Sequence, residues 1–540
     1  MHTTPPGSSH TPRRQQTLRP YSSLSGKHRE AALERSAGYL RTHLRAVPGG
    51  KGVLAHSEVG GRLFETALTL HLLQREDVEP RWRERLRTCL RGNLEGADDF
   101  SLLVASQVLG QEPGTSARTA LEELLKDLRY GTSRKRHLLR VLLLEVGVLP
   151  ELPEEQEAVP DSHPSLHRFG RIYAAACRLI LHRRQGRSVA GLPETAFLLE
   201  TQGAQGGWEQ QALLTLVALL GLGREHPECF ERGLRFLERL SRPDGGIPFI
   251  DNLRLWVTAL VGMALSEVEG TPTPLLLHMG KYLAAHQSEE GGWSFTEDVV
   301  QNDTDTTAQC LLLLQGLAQP QHEAVLARGH RYLLDLQRLD GGYPTYVHGA
   351  DSEVTMSACI LQAQGQRLQE DPRLEVPIQR GLRYLVASQR PDGTFERSWS
   401  LCETYSLFRV LWALEECEPL VTAKQGETLR RRAARYLLAN QHMDGSWGQT
   451  ADEPGDVLST AYAVSALSLL GHVERLPRAL RYLLSQQSPD GALLSRPDQA
   501  GPRPLVYDEP LLGTLFSVMA MNRARRVLSK PSLATVRKTA

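Results

Sequence analysis

The stretch QNDTDTTAQCLLLL, Gln301 to Leu314, sets two carboxylates one residue apart, Asp303 and Asp305, against a long apolar run. Thr306 and Thr307 follow them directly. An ordinary aspartate has a pKa near ~3.9 and has lost its proton at neutral pH. Burial raises that value, and a second carboxylate close by raises it further, because two like charges do not both ionise cheaply. A pair of this kind can share one proton, and the threonine hydroxyls can aim it. The chemistry it suits is proton donation in a site with little water. The plain alternative is that one aspartate caps a helix and does nothing more.

The elements that position this pair come from a repeat. Copies read FLLETQGAQGGW from Phe197, KYLAAHQSEEGGW from Lys281, RYLLDLQRLDGGY from Arg331, RYLVASQRPDGTF from Arg383 and RYLLANQHMDGSW from Arg435. Their glycines, with Gly245 and Gly491, recur roughly every 40 to 50 residues, the period of a helical repeat array. Each unit reads as helix, turn, helix. In the unit at Arg331, Val325, Gly329, Tyr332, Leu333 and Leu336 share one face and Arg328, Arg331 and Asp335 another, an amphipathic helix with one side in water. The second helix, such as Ser459 to Gly471, is apolar or small nearly all round and is expected to be buried on every side. No stretch shows sustained period-two alternation. The expected fold is all-α, a double ring of helix pairs with the buried set inside. The inner helices run one way, so their N-termini gather at one mouth. Asp303 and Asp305 fall there, as do Glu353, Glu403 and Asp456.

The 540 residues carry no formal net charge, which argues against a nucleic-acid partner. Seven scattered cysteines have neither zinc-site spacing nor an even count, and imply buried thiols in a reducing compartment. The first residues, MHTTPPGSSHTPRRQQ, lack the apolar core of a secretory signal. No apolar run approaches a transmembrane span. A cytoplasmic location is expected.

The pattern Gln-x-x-x-Gly-x-aromatic recurs at Gln202/Gly206/Trp208, Gln287/Gly291/Trp293, Gln337/Gly341/Tyr343, Gln389/Gly393/Phe395 and Gln441/Gly445/Trp447. It resembles the QW repeats of squalene–hopene cyclases, oxidosqualene cyclases and class II diterpene cyclases. Asp303-Thr304-Asp305-Thr306-Thr307-Ala308 resembles their Asp-x-Asp-Asp-Thr-Ala acid motif, with Thr306 in place of the third aspartate. Bacterial halimadienyl diphosphate synthases have a similar Asp-x-Asp-Thr-Thr form. The resemblance implies two (α/α) toroid barrels: a disordered tail over residues 1–26, a first β-domain helix over 27–46, an inserted γ domain over 47–271, the β domain over 272–526 and a tail over 527–540. It implies an isomerase that protonates and cyclises geranylgeranyl or farnesyl diphosphate to a labdane-, halimane- or drimane-type diphosphate. Asp305 corresponds to the proton donor and Asp303 to its partner, with Thr306, Thr307, Glu353 and Glu403 in support. The aromatic wall is expected from Trp256, Tyr343, Trp399, Tyr405 and Tyr507, rings that can equally pack a core. The diphosphate is expected at His167, Arg168 and Arg171 near a helix start. Magnesium is expected to assist it, held by Glu95, Asp98 and Asp99, and a class I terpene synthase could act downstream.

Some family features are missing. PLVYDEPLLG, Pro504 to Gly513, carries Asp508 and Glu509 where the diterpene cyclases carry a lysine. A cyclase of a non-phosphorylated polyprene, or of a prenylated small molecule, is therefore an alternative, and so is a binding toroid without chemistry. A metal-dependent class I reading fails because Asn302-Asp303-x-x-Thr306 closes on Cys310 and not on Glu. A protein prenyltransferase reading fails for want of an Asp-x-Cys zinc pair.

Overall fold

The computed structural model describes residues 26–112, 114–126, 132–152 and 166–529. The two expected tails lie outside it, except for Gly26 and residues 527–529. The chain opens with α1 (Gly26–Thr42), then a short antiparallel hairpin of β1 (Leu44–Val47) and β2 (Gly52–Ala55) with Leu44 opposite Ala55. The first helix therefore stops short of Ala46: Pro48, Gly49 and Gly50 build a tight turn, and the chain before it is already extended. A second pair, β3 (Gln499–Ala500) and β4 (Val506–Tyr507), completes the strands among the described residues.

Two rings of helices follow. The first contains α2 (Leu63–Arg75), α3 (Pro80–Gly92), α4 (Asp99–Leu109), α5 (Ala117–Leu125), α6 (Thr132–Glu145), α7 (Arg168–Arg184), α8 (Pro193–Thr201), α9 (Ala212–Leu222) and α10 (Pro227–Leu240). Contacts run from α2 through α4, α5, α6, α7 and α9 back to α2. The second contains α11 (Arg254–Ser266), α12 (Thr273–Ala285), α13 (Thr304–Gly316), α14 (Glu323–Asp335), α15 (Val354–Arg367), α16 (Glu375–Ser388), α17 (Glu403–Glu416), α18 (Ala423–Ala439), α19 (Val457–Leu470), α20 (Leu476–Gln486) and α21 (Leu512–Leu528). Here α11, α13, α15, α17, α19 and α21 pack in succession, and α21 returns to α11. The expected boundary at 271/272 leaves α11 in the wrong ring: its apolar surface is buried against α13 and α21.

Burial explains the two helix types. α19 is buried at every position from Val457 to Ser468, and each large aliphatic side chain so enclosed contributes about 2 kcal/mol. Asp456 caps its start and Gly471, at φ 75°, ends it in the left-handed conformation. Outer helices bury one stripe: in α14 only Leu326, Gly329, His330 and Leu333 are buried.

The glutamines join neighbouring units. Gln287 Nε2 donates to the carbonyl of Gly291 in its own turn and to that of Val325 at the next outer helix, both at 2.8 Å. Gln337 and Gln441 repeat the pattern one and three units on. Gln487 closes the circle by donating to the carbonyl of Ala32 on α1 at 2.7 Å, so the first helix is the outer member of the last unit. The turn requires glycine. Gly341 has φ 90°, and a Cβ there would stand 2.4 Å from the carbonyl oxygen of Arg380.

Candidate active site

The repeat turn holds the acid pair in place. The Asp303 N–H donates to the Trp293 carbonyl at 2.9 Å, and the Trp293 indole donates to the Leu283 carbonyl at 2.8 Å. Asp303 is thus pinned between an outer helix and the start of α13, which it caps. Its Oδ1 accepts from the Thr306 N–H at 2.6 Å and its Oδ2 from the Thr306 hydroxyl at 3.0 Å. Thr307 does not reach the carboxyls. Its hydroxyl donates to the Asp303 carbonyl at 2.6 Å and fastens the turn to the helix, which is a structural role.

Asp303 is 8% exposed. Burial pushes its carboxyl up to about 7, and the neighbouring Asp305 charge adds to the rise, while the Thr306 hydrogen bonds oppose it. Asp305, two residues into the sequence of the same helix start, is only partly buried and presents its carboxyl to a cavity. Its Oδ2 accepts from the Trp256 indole at 3.0 Å and its Oδ1 from the Gln309 amide at 2.8 Å. Both partners are N–H donors, suited to the carboxylate left after a proton departs.

The cavity, about 340 Å³, is bounded by both rings. From the first come residues of α6 and α7 with Phe249 and Ile250; from the second come Trp256, Phe295, Asp303, Asp305, Tyr346, Glu353, Trp399, Arg503 and Tyr507. Aromatic side chains are prominent among the lining residues, as a site that must fold an apolar chain and face cations with π-electrons requires. Trp256, Trp399 and Tyr507 are where the sequence placed them. Tyr343 is not: it is fully buried in its repeat turn, with its hydroxyl against Gln364. Tyr405 lies in the core of the second ring against Tyr462 and Phe516. Tyr346, Phe295 and Phe169 line the cavity instead.

The same cavity collects cations. Arg134 and Lys135 of α6 enter its wall with Arg503 and His167. Lys135 donates to the Arg503 carbonyl. Desolvation, then Arg503 and Arg134, push the Lys135 ammonium well down, with Glu353 opposing. Burial, then Arg134, Lys135 and Arg503, push His167 down to about 3, so its imidazole is neutral. His167 is the one member of the expected anion site that lines the cavity. Arg168 is turned aside to Glu209 at 2.5 Å, and exposed Arg171 packs over Phe197.

Glu353 lines the cavity without acting as a spare acid: it pairs with Arg503 at 2.7 Å and accepts from Thr345 at 2.6 Å and Ser398 at 2.5 Å. Glu403 begins α17 as expected, but its carboxylate is taken by the Tyr436 hydroxyl, away from the cavity lining. Asp98 and Asp99 open on a second cavity, about 370 Å³, that shares Arg503 with the first. Asp98 also caps α4 by accepting from Ser101 at 2.9 Å. Glu95 is exposed and outside that lining. Among the described residues no group of three or more His, Cys, Asp and Glu side chains is close enough to hold a metal by itself. None of the described helices is long and apolar enough to cross a membrane.

Comparison with known proteins agrees with this architecture. Residues 350–526 match the squalene–hopene cyclase C-terminal domain and residues 230–400 the prenyltransferase alpha-alpha toroid domain. A drimenyl diphosphate synthase of Streptomyces showdoensis is 36% identical over 519 residues, 91% of this chain and 95% of the relative. One from Streptantibioticus cattleyicolor is 33% identical over 506 residues, 89% of this chain and 93% of the relative. In fold, the chain resembles the ent-copalyl diphosphate synthase of Streptomyces platensis with a TM-score of 0.58 at 19% identity, covering 93% of this chain and all of that one. A double toroid with a carboxylate pair at the mouth of one ring is the framework of a proton-initiated cyclase. The chain belongs to the class II terpene cyclase family.

Proposed function

We propose that this enzyme cyclises farnesyl diphosphate to a drimane-type bicyclic diphosphate. The observation that carries the reading is that one cavity holds the Asp303–Asp305 pair, an aromatic wall and the cluster of Arg134, Lys135 and Arg503. Glu353 pairs with Arg503 and Asp351 acts on Arg134, and the three basic side chains together offer a diphosphate charge-assisted donors. The two relatives that match over nearly their whole length are both drimenyl diphosphate synthases, which favours the fifteen-carbon substrate over the twenty-carbon one.

In this scheme Asp305 donates. Its O–H bond breaks as a C–H bond forms at the terminal alkene, leaving a tertiary cation that the inner alkenes attack in turn. Two carbon–carbon bonds close two rings, and a proton lost to a base ends the sequence, so the product is an isomer of the substrate. Asp303, held by Thr306 and pushed up to about 7 by burial and by the neighbouring Asp305, limits the negative charge at the pair at neutral pH. Trp256 and Gln309 receive the developing Asp305 charge. Asp98 and Asp99 offer the one or two carboxylates with which magnesium is usually held when phosphate oxygens and water complete its shell. Bound there, the ion would neutralise diphosphate charge. The carbon–oxygen bond to the diphosphate survives, which leaves the product fit for a class I terpene synthase.

The test is incubation of the purified protein with farnesyl or geranylgeranyl diphosphate and magnesium, dephosphorylation, and gas chromatography–mass spectrometry. A bicyclic fifteen-carbon alcohol is expected. Stoichiometric release of inorganic diphosphate during turnover would overturn the protonation reading, and conversion of the twenty-carbon substrate alone would overturn the chain length.

A further inference from the structure

Behind the acid pair, inside the second ring, lies a charge that no part of the scheme above uses. Arg409 of α17 is fully buried. Its Nε donates to the Tyr405 hydroxyl at 3.2 Å, and its Nη1 to the Gln362 amide oxygen at 3.2 Å and the Gln309 amide oxygen at 3.4 Å. Its Nη2 has no hydrogen-bond partner. The rings of Tyr405, Phe408, Trp412 and Phe516 surround it at 5.2 to 5.9 Å. None of its contacts is a carboxylate. A guanidinium buried in this way costs several kcal/mol, and a hydrophobic residue of similar reach usually serves a core better. The fold therefore does not require it.

Gln309 explains its place. One turn below Asp305 on α13, its amide nitrogen donates to Asp305 at 2.8 Å while its amide oxygen accepts from Arg409. The side chain is a polar bridge between a carboxyl and a buried cation. We propose that Arg409 is a positioning residue for catalysis, the counter-charge that makes Asp305 a stronger acid through Gln309. This rests on the reading of Asp305 as the donor.

Before transfer Asp305 is neutral and Arg409 is uncompensated. After transfer the carboxylate and the guanidinium balance, inside a site where such attraction is weakly screened. Removal of the cation thus raises the barrier for the first step. It also makes Asp305 hold its proton to higher pH. Asp303 at the helix start, Cys310 on α13, Cys359 on α15, Tyr405 on α17 and Tyr507 near the C-terminus also act on or are acted on by Asp305, and Arg134, Lys135, His167, Asp351, Glu353 and Arg503 line the cavity it opens on; Arg409 is the cation that reaches it from inside the second ring, through Gln309.

The experiment is the pH dependence of kcat for Arg409→Met and Gln309→Met beside the wild type and Asp305→Asn, with thermal unfolding of each. For Arg409→Met the plateau of kcat is expected to fall about tenfold or more, and the alkaline limb to move up by about one pH unit, since one unit of acid strength is tenfold in an equilibrium. Its Tm is expected to stay level or rise. Gln309→Met is expected to move the same limb in the same direction, and it keeps the test alive if Arg409→Met does not fold. A lower plateau with an unmoved limb, or a lower Tm with normal kcat, would overturn the proposal and leave Arg409 a packing residue. Failure of the underlying reading looks different: Asp305→Asn would then remain active.

Discussion

Asp303→Asn is predicted to stabilise the protein at alkaline pH while slowing it. The asparagine oxygen can still accept from the Thr306 N–H, so the cap of α13 survives. What disappears is an ionisable group that the fold holds near 7 and the unfolded chain near ~3.9. The sign follows from that order. A carboxyl raised in the folded state binds its proton more tightly there, so it costs nothing below about pH 4, progressively more as pH climbs, and its full penalty above pH 7. A proton held about a thousandfold more tightly in the folded chain, at about 1.4 kcal/mol per factor of ten, gives at most about 4 kcal/mol at pH 8. For a chain of this length that is about 3 to 4 °C in Tm. Calorimetry of wild type and variant at pH 4.5 and pH 8 is the assay: the Tm difference should be small in acid and favour the variant in base. An equal difference at both pH values would refute a raised Asp303.

Asp305→Asn is expected to lose cyclisation by about 10³-fold with Tm nearly unchanged, measured by product formation and calorimetry, because the fold keeps its shape and loses only the transferable proton. Lys135→Met is expected to weaken farnesyl diphosphate binding about tenfold to hundredfold in titration calorimetry, because an amine donor in the cavity wall is replaced by an apolar chain. Gly341→Ala should destabilise by about 3 kcal/mol in thermal unfolding, since the new methyl group meets the Arg380 carbonyl in a backbone conformation that alanine avoids.

The ring architecture and the acid pair were legible because both are local. A glutamine, a glycine and an aromatic at fixed offsets announce each turn, and the turn hands its aromatic carbonyl to the first residue of the next inner helix, as Trp293 does to Asp303. The same logic misled on Tyr343: the aromatic of the motif is consumed by the turn and has nothing left for a cavity. What the sequence hid was long-range. Arg134 and Lys135 sit in the run RKRH, which reads as a solvated helix start, yet α6 turns them towards Arg503, 368 residues beyond Lys135. The 271/272 boundary was missed because α11 resembles any inner helix and its ring is chosen by packing. Arg409 did leave a trace, as a lone charge at the centre of the apolar stretch YSLFRVLWAL, a position that solvent cannot explain.

The division of the site between the two rings bears on how a strong acid and a polyanion coexist in one cavity. A diphosphate beside the pair would push the Asp303 carboxyl up further and weaken the acid, since like charge favours the protonated form. Arg134, Lys135 and Arg503 line the same cavity and would take up that charge locally. The Trp256 and Gln309 donors remain in place because the barrel wall fixes them before any substrate enters, so their help with the departing proton needs no rearrangement. On the proposed reading these demands fall on different elements: recognition on α6 and the Arg503 loop, and acid strength on α13 with α11, where Trp256 and Gln309 hold Asp305.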